Sequence, residues 1–228
     1  MIKKAFLAII LATTVLLACN AGAKSEKTAG APQTTGASSG TSDPDTSYAF
    51  GVALGHDLQD AGLRFDYDAF VKGFSDVLEG KETKFTLDEA VQKINEAYIA
   101  ALKQKEADFL AENKQKNGVT ETDSGLQYEV LTEGTGPKPS ASSTVEVHYE
   151  GALTDGTVFD SSYERGGPAS FTLEDMIPGW IEGIQLMNQG GVYRFFIPSR
   201  LAYGEQGVSG VIMPYAVLIF KVELLSVK

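Results

Sequence analysis

The apolar positions of this chain change their period near Gly118. Before it they recur at intervals of three and four, which gathers them on one face of a helix; after it they alternate, as on a strand with one buried side. In the first stretch, which begins at Tyr48, Asp66 stands where an N-cap belongs, and Tyr67, Phe70, Val71, Phe74, Val77 and Leu78 follow it. Gly80 is placed to end that helix. Thr86-Leu87-Asp88-Glu89 has the form of a capping box, and Leu87, Val91, Ile94, Tyr98 and Ala101 continue it as a stripe. Beyond Leu102, Lys105 and Asp108 fall where apolar residues are due. The spacing therefore predicts a helix of roughly 30 residues and about 45 Å. It should pack over its first half, run into solvent over its second, and stop at Asn117-Gly118. Such a stripe is either a domain core or a surface for a partner.

In the second stretch Val145, Val147, Tyr149 and Leu153 share one face, while Glu146, His148 and Glu150 share the other. Asp155-Gly156 makes a turn, and Gly191 to Ile197 and Ala216 to Val227 supply further strands. Pro178-Gly179-Trp180 leads into a short helical piece that runs to Met187. An antiparallel sheet needs its apolar side covered, and one short helix across its face does this. The fold class that follows is α+β: a helical domain over residues 48–118, then an antiparallel sheet wrapped on a short helix over residues 119–228.

The amino terminus bears on location. Lys3 and Lys4 precede an apolar run from Ala5 to Ala18, too short for a comfortable membrane span, and the run ends in Leu16-Leu17-Ala18-Cys19. This resembles a bacterial lipobox. The resemblance implies that residues 1–18 are removed as a signal peptide and that the Cys19 thiol receives diacylglycerol. The new amino terminus is then acylated, which leaves an exported protein held by lipid on a bacterial membrane, at the periplasmic face or the cell surface. An ordinary secretory signal cleaved nearby is the alternative. Cys19 is the single cysteine of the chain, so no intramolecular disulfide can form. Residues 20–47, rich in Ala, Gly, Ser and Thr, cannot bury enough surface to offset chain ordering and read as a tether from the cysteine. About 180 residues remain, enough for two modest domains. The net charge of -11 leaves no basic stripe for nucleic acid.

Several segments of the carboxyl half closely resemble the FK506-binding (FKBP) family of peptidyl-prolyl isomerases. They are Val145-Glu146-Val147-His148-Tyr149-Glu150-Gly151, Leu153-Thr154-Asp155-Gly156-Thr157-Val158-Phe159-Asp160-Ser161-Ser162, Ile177-Pro178-Gly179-Trp180-Ile181-Glu182-Gly183, Leu201-Ala202-Tyr203-Gly204 and Phe220-Lys221-Val222-Glu223-Leu224-Leu225. Upstream, Ser47 to Gly55 and Ala69 to Lys81 are similar to the amino-terminal domain of the macrophage infectivity potentiator and FkpA group of exported isomerases. In that group these helices intertwine into a homodimer and the long helix separates the catalytic domains, so a homodimer through the helical domain is expected.

The resemblance also assigns a reaction and its residues. Tyr149, Phe159, Asp160, Tyr203 and Phe220 are implied as catalytic; Phe171, Met176, Ile177, Trp180, Arg165, Val211 and Ile212 as substrate-binding. Trp180 would form the floor under a proline ring, with Phe171, Met176, Ile177 and Phe220 as much of the wall. Tyr149, Phe159 and Phe220 would turn ring edges toward the rotating carbonyl. The Ile177 N–H and the Tyr203 hydroxyl would hold neighbouring substrate carbonyls, and which carbonyl Tyr203 meets is left open. Asp160, with Arg165 nearby, would orient or act electrostatically, because isomerisation moves no proton. Taken without the motif around them, the two would read as a structural ion pair. The reaction needs no cofactor or metal. The implied partners are proline-containing unfolded or exported polypeptides, with FK506- and rapamycin-type macrolides as candidate ligands.

The chain departs from the family pattern before its last strand. Met213-Pro214 stands where two prolines are usual, Tyr215 where a smaller polar residue is typical, and Val217 where threonine is common. With the Val208 to Ile212 loop, these changes should alter substrate preference or macrolide affinity more than the central reaction. Other chemistries have little to build with. The two histidines, His56 and His148, lie in different domains, and no G-x-S-x-G elbow or phosphate loop is present. Two functions therefore remain in view: an isomerase that assists the folding of exported proteins, and a non-catalytic chaperone that binds unfolded chains.

Overall fold

The computed structural model describes residues 43–60 and 65–228; the expected signal peptide, Cys19 and the tether as far as residue 42 lie outside them. The chain divides into two compact units, with the boundary between Lys84 and Phe85.

In the first unit, helix α1 spans Pro44–Asp60 and helix α2 spans Tyr67–Leu78. The Asp43 carboxylate accepts from the backbone N–H groups of Asp45 and Thr46 at 2.9 and 3.0 Å, so α1 opens a few residues ahead of Tyr48. Asp66 caps α2 by accepting from the Ala69 N–H at 3.0 Å, and Gly80 leaves the helix at φ +66°, a left-handed conformation that glycine adopts without a Cβ clash. Along α2 the stripe of Tyr67, Val71, Phe74, Val77 and Leu78 is exposed.

The second unit opens with helix α3, Leu87–Asn113, on the expected capping box: Thr86 Oγ1 accepts from the Glu89 N–H, and the Glu89 carboxylate accepts from the Thr86 N–H at 2.8 Å. The packing of α3 is the reverse of the sequence expectation. Leu87 and Ile94 in its first half are exposed, whereas its last turns dock on the sheet. There the Phe109 ring meets Phe196 at 6.3 Å, and Asn113, fully buried, donates from Nδ2 to Gln127 Oε1 at 2.9 Å. The docking is largely polar, and an apolar stripe cannot register it.

Seven antiparallel strands follow: β1 Val119–Glu121, β2 Gln127–Thr132, β3 Thr144–Leu153, β4 Val158–Ser161, β5 Ala169–Thr172, β6 Val192–Ile197 and β7 Leu218–Val227. Their order is β1-β2-β6-β7-β3-β4, and β5 pairs with β3. In β3 the buried positions are Val145, Val147, Tyr149 and Gly151, which places the apolar face where alternation put it. Helix α4, Pro178–Leu186, crosses the apolar side of the sheet and buries Trp180 and Ile184. It can lie close because Gly179 and Gly183 face β6: an added Cβ would fall 2.3 Å from the Ile197 side chain and 2.8 Å from the Phe195 ring. The fold class is therefore the α+β arrangement expected, a helical amino-terminal part followed by an antiparallel sheet on a short helix. Among the described residues no helix is long and apolar enough to cross a membrane.

Candidate active site

The first turn of α4 brings Trp180 under β3, β5 and β7, and three rings meet it edge-on. Their centroids lie 5.1 Å (Tyr149), 5.5 Å (Phe171) and 5.2 Å (Phe220) from the indole, at interplanar angles of 89°, 87° and 88°. Perpendicular contacts of this kind match positive ring edges to a negative ring face. Phe159, on β4, joins through Phe220 at 5.5 Å and 89°. Trp180 is 2% exposed, and its Nε1–H has no acceptor among the described residues. Met176 and Ile177, just ahead of α4, pack against the same core, and Ile212 belongs to it.

Polar groups fix the rim. The Tyr149 hydroxyl donates to Asp160 Oδ2 at 2.6 Å, and Arg165 donates both to Asp160 and to the Tyr149 oxygen while its guanidinium lies 5.2 Å from the Tyr149 ring centre. Burial, and then the donated bond to Asp160, push the Tyr149 hydroxyl above the ordinary phenol value. The phenol is thus a committed O–H donor across the neutral range, with its donor direction already spent on Asp160. The hydrogen bond from Arg165 to Tyr149 raises the arginine in turn.

Expected site residues thus fall into two sets. Tyr149, Phe159, Phe171, Trp180 and Phe220 meet as rings, with Asp160 and Arg165 bonded at their edge and Met176, Ile177 and Ile212 packed into the same core. Tyr203 and Val211 take no part in these contacts among the described residues; they are 41% and 50% exposed on the segment between β6 and β7. An open groove of about 350 Å³ runs instead along α3, lined in part by Glu106, Leu110 and Tyr215, and holds none of the expected site residues. The ring cluster, not the open groove, holds the residues that the family resemblance implies.

Two supports were not anticipated. Gly151 pairs with Phe220 across the β3–β7 ladder, and an added Cβ there would lie 2.6 Å from the Phe220 ring and 2.8 Å from that of Phe159. Ser162, fully buried, accepts from the Tyr149 N–H at 2.8 Å and donates to the Tyr149 carbonyl at 3.1 Å, which fixes the backbone that carries the hydroxyl. A buried serine next to an ordered tyrosine leaves no periodic signal in a sequence.

Known proteins match both parts of the chain. Residues 136–225 match the model of the FKBP-type peptidyl-prolyl cis-trans isomerase family, and residues 43–130 match that of the domain amino terminal to FKBP-type peptidyl-prolyl isomerase. The FKBP-type peptidyl-prolyl cis-trans isomerase FkpA of Aeromonas hydrophila is 43% identical, aligned over 90% of this chain and 83% of its own length. The outer membrane protein MIP of Legionella longbeachae is 40% identical over 85% of this chain and 90% of its own. The crystal structure of FkpA from Escherichia coli superposes with a TM-score of 0.54 at 34% identity, covering 82% of this chain and 97% of that one. With both family models in register and these identities over most of its length, the chain belongs to the family of FKBP-type peptidyl-prolyl cis-trans isomerases.

Proposed function

We propose that the ring cluster around Trp180 receives the proline of an X–Pro bond in exported polypeptides and accelerates its rotation. One observation carries the assignment: a single indole, 2% exposed, surrounded edge-on by Tyr149, Phe171 and Phe220. Rotation must break amide resonance worth roughly 18–20 kcal/mol. In the twisted state the C–N bond loses double-bond character and the carbonyl loses dipole. Apolar walls therefore disfavour the twisted state less than the planar one. A millionfold acceleration needs about 8 kcal/mol of such differential stabilisation, more than one hydrogen bond supplies. Desolvation and selection of the twisted conformer share that task.

Each residue has a part consistent with its place. Trp180 is the floor; Phe171, Met176, Ile177 and Phe220 are wall. Tyr149, Phe159 and Phe220 offer ring edges to the rotating carbonyl. The Ile177 N–H, which has no acceptor among the described residues, is suited to a substrate carbonyl. Asp160, bonded to Tyr149 and Arg165, acts by orientation and field, because the Tyr149 proton is already shared with it. Tyr203 binds a carbonyl beside the proline, while Val211 and Ile212 belong to the loop that borders the substrate. The same ring cluster is proposed to accept FK506- and rapamycin-type macrolides.

A proline-limited refolding assay on the full chain tests these parts. Phe159→Ala, Asp160→Asn and Tyr203→Phe should each lower turnover roughly tenfold or more while the thermal midpoint stays close to the parent's, and an FK506-class macrolide should compete with substrate. Unchanged rates in all three variants would remove the site assignment. Suppression of aggregation with no turnover at all would favour the chaperone reading.

The proposed organisation is a signal peptide over residues 1–18, a tether over 19–47 from a lipidated Cys19, the helical domain over 48–118 and the isomerase domain over 119–228. The lipobox-like Leu16-Leu17-Ala18-Cys19 run supports the anchor. The exposed stripe of Val71, Phe74, Val77 and Leu78 on α2 supports a homodimer, and so, separately, do Leu87 and Ile94 exposed on α3, since large apolar side chains in water favour a partner. Cys19→Ser should release the protein from membranes on fractionation, and the solubilised parent should sediment as a dimer; a membrane-bound variant or a monomeric parent counts against the respective reading.

A further inference from the structure

We propose that Glu106, on the last third of α3, is a positioning residue for Tyr203 and so sets the rate of the isomerase from outside the ring cluster. The inference rests on the reading of Tyr203 as a substrate-binding group.

The link is a continuous run of hydrogen bonds. Glu106 uses both carboxylate oxygens on one residue: Oε1 accepts from the Ser199 N–H at 2.6 Å, and Oε2 accepts from the Ser199 hydroxyl at 3.0 Å. Ser199 is buried at 5% exposure and begins the short 3-10 turn Ser199–Leu201 that leads into Tyr203. Its carbonyl in turn accepts from the N–H groups of Ala202, at 2.9 Å, and Gly204, at 2.8 Å, the two neighbours of Tyr203. The Tyr203 carbonyl accepts from Gly207 at 3.1 Å, and the Gly204 carbonyl accepts from Tyr215 at 2.9 Å. Both neighbours of Tyr203 are thus held by the carbonyl of the serine that the Glu106 carboxylate binds, and two further backbone bonds fix the turn beyond it. Its side chain is 41% exposed and lies outside the ring contacts, so its backbone sets much of its position.

A second contact from the same face of α3 reinforces the path. Lys103, three residues before Glu106, places its ammonium 5.0 Å from the centre of the Tyr215 ring. Tyr215 holds φ +57° and donates its hydroxyl to Glu205 at 3.1 Å, which closes the segment that returns from Tyr203 to β7. Positive φ at a bulky residue is costly, and such residues persist where neighbours over-determine them. Tyr215 is one of the positions at which the chain departs from the family pattern, and the helix contact gives that departure a role. A carboxylate that binds an N–H and an O–H of one serine also fixes direction as well as distance, because charge-assisted bonds are short and steep.

The test is a double-mutant cycle in the full-length chain, read by a proline-limited refolding assay. Glu106→Ala should lower kcat/KM roughly fivefold to tenfold, with most of the loss in the step Tyr203 serves, since small displacements of a binding group are amplified in rate. Glu106→Gln, which keeps one acceptor oxygen, should fall between. In a Tyr203→Phe background Glu106→Ala should add nothing further, because the group it positions is already gone. Thermal midpoints of every variant separate positioning from stability: a loss that multiplies in the Tyr203→Phe background, or that follows the midpoint, overturns the inference. If Tyr203→Phe is slow but Glu106→Ala turns over like the parent, the inference fails and the reading of Tyr203 stands. If Tyr203→Phe is itself unimpaired, that reading fails and the inference falls with it.

Discussion

Gly151→Ala is expected to lower isomerase turnover by about a hundredfold, a larger loss than removal of any single polar group at the rim. Gly151 has an ordinary strand backbone, not one of the positive-φ conformations found at other glycines of the chain, so the substitution introduces volume and no φ strain. That volume has nowhere to go. The new methyl would sit 2.6 Å from Phe220 and 2.8 Å from Phe159, and Phe220 is backed by Trp180 at 5.2 Å. Either Phe220 is driven toward the indole or Phe159 is turned out, and both reshape the ring cluster proposed to receive the proline. Overpacking of this kind costs about 2 kcal/mol, or roughly 10 °C in midpoint for a domain of this size. The variant should therefore remain folded below that point. Trp180 is the single tryptophan of the chain, so its emission reports the displacement directly. Gly167→Ala, at a site where nothing lies within 4 Å of the added atom, is the matched control. A variant with parental turnover and parental emission would show that the rings tolerate the methyl and that their packing does not control the rate.

The same glycine shows where sequence reading reaches and where it stops. The alternation of Val145, Val147 and Tyr149 places one face of β3 inward, and the family resemblance names rings from β3, β4, β5, α4 and β7, which lie in contact with one another. Helix caps were equally legible, because Asp66 and the Thr86–Glu89 box act within a few residues of chain. Shorter elements left no period to detect: β4 and β5 have four residues each. What could not be read is contact made by a missing side chain, as at Gly151, or by polar groups far apart in sequence. Glu106 and Ser199 are 93 residues apart, and neither belongs to any hydrophobic pattern. That is also why the second half of α3 was expected in water. Lys105 and Asp108 do break the apolar stripe, but Glu106, Phe109 and Asn113 lie on a different face, and that face docks through one ring and several hydrogen bonds.

The docking of α3 leads to the second large effect. A segment comprising residues 118–228 retains every strand, yet it should melt roughly 20 °C below a segment comprising residues 85–228. The boundary between compact units falls at Lys84/Phe85, so the longer segment keeps α3 with the sheet. Removal of α3 strips Phe109 from Phe196 and leaves Gln127, fully buried in the intact unit, without Asn113 on Oε1 and without the Leu110 carbonyl that accepts from its Nε2 at 2.9 Å. It also frees Ser199 from both bonds to Glu106. Partial burial of one ring pair and one leucine contributes about 2 kcal/mol after ordering, and four hydrogen bonds at about half a kcal/mol each contribute a similar amount, for a total of about 4 kcal/mol. Against a typical domain stability of about 5–15 kcal/mol, that is a large share. Calorimetry of the two segments in one buffer decides the matter. Equal midpoints would mean that the helix end merely rests on the sheet, whereas a wide gap would make α3 a structural part of the isomerase unit, with Glu106 acting from inside it.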